Sequence, residues 1–210
     1  MNSSTLRQQI AGPAGQLECA IDAPASAADG QAVRGVAVIC HPNPTQGGTL
    51  DNKVVQTLAR ALVQLGYRTV RFNFRGIGRS EGAWDEGRGE VDDCLAVVHG
   101  FRVEGLPLVL AGFSFGGFVA SRAAQQLPAE QAAERLLLVG PATSRFDTAP
   151  VPADTVVIHG EVDDVVPLSA VLDWARPQSL PVTVVPGVGH FFHGQLPLLK
   201  NIVLRSWHAA

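Results

Sequence analysis

The sequence predicts an α/β fold: a three-layer α/β/α sandwich in which a mostly parallel sheet carries helices on both faces. Three observations predict it. Short β-rich runs alternate with segments of helical periodicity along the chain. Several of those runs are apolar without interruption, the pattern of strands buried on both faces. The spacing leaves room for a helix between successive strands, and such units cross over right-handedly into parallel pairs. At 210 residues, 46% of them apolar and 17% charged, the chain suits a single domain over 1–210. A domain of this size buries roughly 70% of its unfolded surface and needs no staples.

The elements follow in order. A strand is expected over 17–21, antiparallel and at an edge, and then a turn over 23–31, rich in Ala, Asp and Gly. The run 36–40 is wholly apolar and reads as a buried strand. Over 52–65, apolar residues recur at Val54, Val55, Leu58, Ala61, Leu62 and Leu65, a helical stripe that Gly66 stops. Further strands are expected over 67–74, 106–111, 136–139, 155–158 and 182–185, and further helices over 90–101, 115–126, 168–174 and 191–207.

Charge and composition exclude several functions. Net charge is −3, with sixteen basic and nineteen acidic residues well mixed. Without a basic stripe, nucleic acid is not an expected partner. No apolar stretch approaches the roughly 20 residues that span a bilayer, so no membrane association is expected. Residues 1–10 are polar and lack the apolar run of a signal peptide. Three cysteines cannot form a closed disulfide set, and Cys40 and Cys94 sit in apolar segments, so buried thiols in a reducing, cytoplasmic setting are expected. His41 and His159 are expected to bond backbone groups, since the six histidines show no metal-ligand spacing with carboxylates or cysteines. Gly76 and Gly78 begin a G-x-G-x-x-G that fails at Glu81. No metal and no organic cofactor is called for, and nothing in the sequence sets an oligomeric state.

In open α/β sheets the ligand site lies beyond the carboxyl ends of the strands. After the strand ending near Ala111 comes Gly112-Phe113-Ser114-Phe115-Gly116, a G-x-S-x-G between a predicted strand and a predicted helix. A serine there sits on a tight turn that projects its hydroxyl, and a side chain at either glycine would crowd that turn. A hydroxyl needs a base. His190 follows the last strand, while His193, three residues on, reads as a surface or helix-packing residue. An imidazole base needs a carboxylate to fix its tautomer, and Asp163 and Asp164 follow another strand. The order Ser114, Asp163, His190 is that of the α/β-hydrolases.

From about residue 17 to 207 the chain resembles the α/β-hydrolase superfamily, above all its small, lidless carboxylesterase-like and dienelactone-hydrolase-like members. Besides the serine turn, His41-Pro42-Asn43-Pro44 is similar to the family's His-Gly-x-Pro oxyanion loop, with Pro42 where glycine is usual. Phe72-Asn73-Phe74-Arg75 begins a loop common in the family; His159-Gly160-Glu161-Val162-Asp163 matches its acid turn and Gly189-His190 its histidine turn. The acid turn's pattern selects Asp163 over Asp164, which is left to bond the turn or cap the following helix. Two backbone N–H groups, of Phe115 and Asn43, are expected to form the oxyanion hole, and the Asn43 side chain to hold its own loop. Cis X–Pro bonds are rare, so the sequence argues for a trans Asn43–Pro44 bond, whereas the family's loop argues for cis. The family's cap usually enters after its sixth strand. Here 140–154 is short and holds Pro141, Pro150 and Pro152, so no cap is expected. The resemblance implies a serine hydrolase that cleaves a small-molecule ester through an acyl-enzyme. Thioesterase, short-peptide and dienelactone-type hydrolysis stay open, as does a non-catalytic binding role on the same fold. Trp84 either walls the substrate pocket or covers the sheet.

Overall fold

A computed structural model describes residues 5–28 and 32–207. Eight strands form one sheet among the described residues: β1 (Leu6–Gly12), β2 (Gly15–Asp22), β3 (Gly35–Cys40), β4 (Tyr67–Phe72), β5 (Leu108–Phe113), β6 (Arg135–Val139), β7 (Val156–Gly160) and β8 (Val182–Val185). Their order is β1-β2-β4-β3-β5-β6-β7-β8, with β1–β2 and β2–β4 antiparallel and every other pair parallel. The helices are a short α1 (Ala25–Ala28), then α2 (Lys53–Gln64), α3 (Arg88–Phe101), α4 (Phe115–Gln126), α5 (Leu168–Ala175) and α6 (Leu196–Trp207). None is long and apolar enough to cross a membrane.

The central strands are apolar at every position because each face meets a helix layer. Val36, Val38 and Cys40 pack with α3 and α4, while Ala37 and Ile39 on the other face pack with α2 and α6. Leu58 and Leu62 of α2 are fully buried, and each such side chain contributes about 1.5–3 kcal/mol on leaving water. Asn52, expected inside α2, is instead its N-cap, its Oδ1 accepting from the N–H groups of Val54 and Val55.

Several expectations need correction. The strand expected at an edge over 17–21 is β2, one place in, and β1 forms the edge. β1 gave no signal because most of its residues are exposed on both faces. The turn expected over 23–31 contains α1, and its last residues, 29–31, lie outside the described set. α6 starts at Leu196 rather than at 191, because Phe192 (φ 52°) and Gly194 (φ 72°) take left-handed conformations that no helix continues through. The Asn43–Pro44 bond is trans, as is every peptide bond of the described residues.

Candidate active site

The parallel strands bring their carboxyl ends to one edge of the sheet, and the predicted site residues lie in the loops there. Ser114 joins β5 to α4 with φ 55° and ψ −118°, a conformation non-glycine residues rarely adopt. Strain of this kind costs about 1–3 kcal/mol and persists only where the surroundings over-determine it. They do so here. The Ser114 N–H donates to Val139 O (2.9 Å), and its carbonyl accepts from Gly117 (2.9 Å) and Ala142 (3.2 Å). A Cβ at Gly112 would lie 2.1 Å from Gly116 O, and one at Gly116 2.2 Å from Cys40 O. Both glycines are thus required by close backbone approach. Phe115 opens α4, so its N–H has no acceptor within the helix.

The second contact brings in the 41–48 loop, which leaves β3 beside the serine turn because Cys40 pairs with Gly112. His41 holds this loop from beneath. Its Nε2 accepts from the Phe74 N–H (3.2 Å), so the proton sits on Nδ1, which donates to Pro42 O (2.7 Å). Burial pushes its pKa down to about 4, the Pro42 bond opposing only in part. The imidazole is therefore neutral, and both its nitrogens bond backbone groups, as expected. The Asn43 side chain holds its own loop as expected, Oδ1 accepting from the Thr45 N–H and hydroxyl (both 2.9 Å).

Asp163 and His190 meet directly: His190 Nδ1 donates to Asp163 Oδ2 at 2.6 Å, with both side chains buried. The meeting depends on two turns stitched together by the Glu161 N–H to Val185 O (3.0 Å) and the Val162 N–H to Val188 O (3.1 Å). Burial pushes the Asp163 carboxyl up, but hydrogen bonds from His190 and from the Val166 and Val165 N–H groups more than offset it, leaving its pKa below the ordinary value. The Phe113 ring packs against the His190 ring (centroids 4.8 Å apart) and places it beside the serine turn, since Phe113 precedes Ser114. Among the described residues no hydrogen bond joins Ser114 Oγ to His190. Such contacts are often long before substrate binds.

Asp164 is exposed and makes no hydrogen bond among the described residues, and α5 has no side-chain cap. The turn-bonding role expected of Asp164 belongs to Asp163 Oδ1, which accepts from Val165 (2.9 Å) and Val166 (2.7 Å). His193 is exposed, in a turn before α6, its ring against Phe191. Trp84 is half-buried against the Phe115 ring (5.1 Å), and Phe146 lies against the other aromatic neighbours Phe115 (4.9 Å) and Phe118 (5.0 Å). Sequence reasoning missed the brace under the 41–52 loop. Asn73 Oδ1 accepts from the Leu50 N–H (2.8 Å) and its Nδ2 donates to Glu18 Oε2 (2.8 Å), while buried Arg71 donates to Leu50 O (2.8 Å) and Asp22 (3.0 Å). Its signal was a run of polar residues, Arg71 in β4 and Asn73 just beyond it, set between apolar Val70, Phe72 and Phe74.

Comparison with known proteins now bears on this geometry. A hydrolase family described as "Serine aminopeptidase, S33" matches residues 31–181. The chain belongs to this family of α/β hydrolases. A lidless α/β serine hydrolase from Xanthomonas campestris is 38% identical, with a TM-score of 0.86 over 100% of this chain and 98% of that one. An α/β serine hydrolase homologue from Coxiella burnetii is 37% identical, with a TM-score of 0.80 over 98% and 97%. An uncharacterized protein of Rickettsia prowazekii (strain Madrid E) is 30% identical over 173 residues, 75% of this chain and 71% of the relative. The Xanthomonas protein is described as without a lid, and in this chain the 140–155 connection between β6 and β7 contains no helix.

Proposed function

We propose that this α/β hydrolase is a cytoplasmic serine esterase that cleaves small carboxylic esters. Ser114 Oγ attacks the ester carbonyl while His190 Nε2 takes its proton. Asp163, ionised on Nδ1–H of the same ring, orients the imidazole and stabilises the imidazolium. The backbone N–H groups of Phe115 and Asn43 receive the charge on the former carbonyl oxygen. The alcohol leaves with the proton from His190, and water then releases the acid by the same route. The observation that carries this reading is the buried 2.6 Å Asp163–His190 bond beside a serine held at φ 55°.

The ester assignment draws on the surroundings. Half-buried Trp84 and Phe146 flank Phe115, the residue after the nucleophile, and Val162 and Phe191 are exposed beside the acid and the histidine, which supports an apolar substrate group. With no helix in the 140–155 connection, a small ester suits the site better than a long acyl chain. Three free buried cysteines suit the reducing cytoplasm. The test is labelling by a fluorophosphonate probe, followed by rates on oxygen esters of graded acyl length, thioesters and peptide anilides. Labelling is expected on wild type and on none of the folded Ser114→Ala variant, with short oxygen esters turned over fastest. A labelled Ser114→Ala variant would overturn the nucleophile, and faster anilide turnover would replace the esterase by a peptidase.

A further inference from the structure

His159 is not among the residues assigned to the chemistry, yet it faces the carboxylate on which they depend. It is the penultimate residue of β7, its side chain buried, and its Nε2 lies 3.0 Å from Val166 O and 3.6 Å from Asp163 Oδ2. A carbonyl oxygen only accepts, so Nε2 carries the proton. Nδ1 is then the bare nitrogen, buried and without a partner among the described residues. Burial holds the ring neutral, lowering its pKa against the pull of Asp163.

The Val166 backbone is pinned on both sides of its Cα. Its N–H donates to Asp163 Oδ1 (2.7 Å) and its carbonyl accepts from His159. Asp163 therefore has Oδ1 held by the turn, Oδ2 held by His190 (2.6 Å), and the His159 N–H edge against that same Oδ2. An apolar side chain would fill the space under β7 without burying an unpaired nitrogen, which costs free energy. What an imidazole adds at this position is the Nε2–H.

We infer that His159 is a positioning residue: its Nε2–H fixes the Asp163 carboxylate, through the Val166 backbone and at the rim of Oδ2, in the orientation His190 needs. Its effect on rate rests on the esterase reading. Its effect on the Asp163–His190 bond does not.

The test compares His159→Leu, which removes the donor, with His159→Gln, whose amide N–H reaches where Nε2–H stood. Two readouts are taken: kcat and KM on a short activated ester, and the tautomer and downfield Nδ1–H resonance of His190 by NMR. For His159→Leu, kcat is expected to fall roughly tenfold to a hundredfold with KM within about twofold, as a misplaced group does. The His190 Nδ1–H resonance is expected to be lost or to move upfield, and His159→Gln to restore both. A folded His159→Leu variant with the resonance unmoved and kcat unchanged overturns the inference. If His159→Leu does not fold, His159→Gln decides: the wild-type resonance supports the inference, and its loss from a folded protein overturns it. If the probe fails to label wild type while the resonance responds as expected, the esterase reading fails and the positioning role stands.

Discussion

The turn that carries Ser114 is built by backbone alone, whereas the Asp163–His190 pair is built by side chains 27 residues apart. In the first region every constraint is local or a direct backbone approach: two glycines, a strained residue and the first N–H of a helix. In the second, each side chain stands in the right place only because β7 and β8 run parallel and their exit turns are stitched to each other. The difference teaches where each region fails. The serine turn fails when backbone can no longer approach backbone, and the pair fails when one hydrogen bond changes character.

The largest expected effect is in the pair. Asp163→Asn keeps the shape but presents the wrong imidazole tautomer and leaves the imidazolium uncompensated, so kcat should fall by about 10⁴-fold in a protein that still folds. Steady-state kinetics with a far-UV spectrum check both halves. Unchanged kcat would remove Asp163 from the mechanism.

In the serine turn, Gly116→Ala should act on the fold first. Its Cβ would meet Cys40 O at 2.2 Å, a backbone atom with no side chain to rotate away. At least about 2 kcal/mol of stability is expected to be lost, as overpacking with a backbone shift costs. Urea unfolding measures it.

A third prediction concerns the histidine under the serine turn's neighbouring loop. An unfolded His41 takes a proton near its ordinary pKa of 6.5, but the folded one only near 4. Between those values the unfolded state binds more protons, so stability is complete above pH 6.5 and falls as pH drops toward 4, by about 3 kcal/mol in all. His159, lowered by burial, slopes the same way. Asp163 has its pKa depressed, so its contribution is present above its unfolded value of 3.8 and is lost as pH falls below that. His41→Asn should flatten the slope from pH 6.5 to 4 relative to wild type. Identical slopes in the two proteins would place the pH dependence elsewhere.

The smallest effect should be at Asp164. It is exposed and bonds nothing among the described residues, so Asp164→Asn should change stability by less than about 0.5 kcal/mol and leave kcat unaltered. A crippled Asp164→Asn variant would move the acid by one residue and undo the comparison at its centre.

Much of this molecule was legible in its sequence. The alternation of elements and the wholly apolar central strands follow from local pattern, because a strand covered on both faces has no polar position to spare. G-x-S-x-G reads as a strained turn because the reason for its glycines lies within five residues. Other features were settled only by tertiary contact. Most residues of β1 are exposed, so no hydrophobic pattern marks it. The start of α6 depends on left-handed residues at 192 and 194, just after the histidine turn. Trp84 finds its place on Phe115, distant in sequence. The bonding of the acid turn by Asp163 itself, and the N–H of His159 beneath it, depend on which atoms the packed turns bring within 3–4 Å. The sequence by itself determined which residues can donate, accept, strain and pack. Only the tertiary structure decided which of them meet, because hydrogen bonds and close backbone approach act over a few ångströms while their partners lie tens of residues apart.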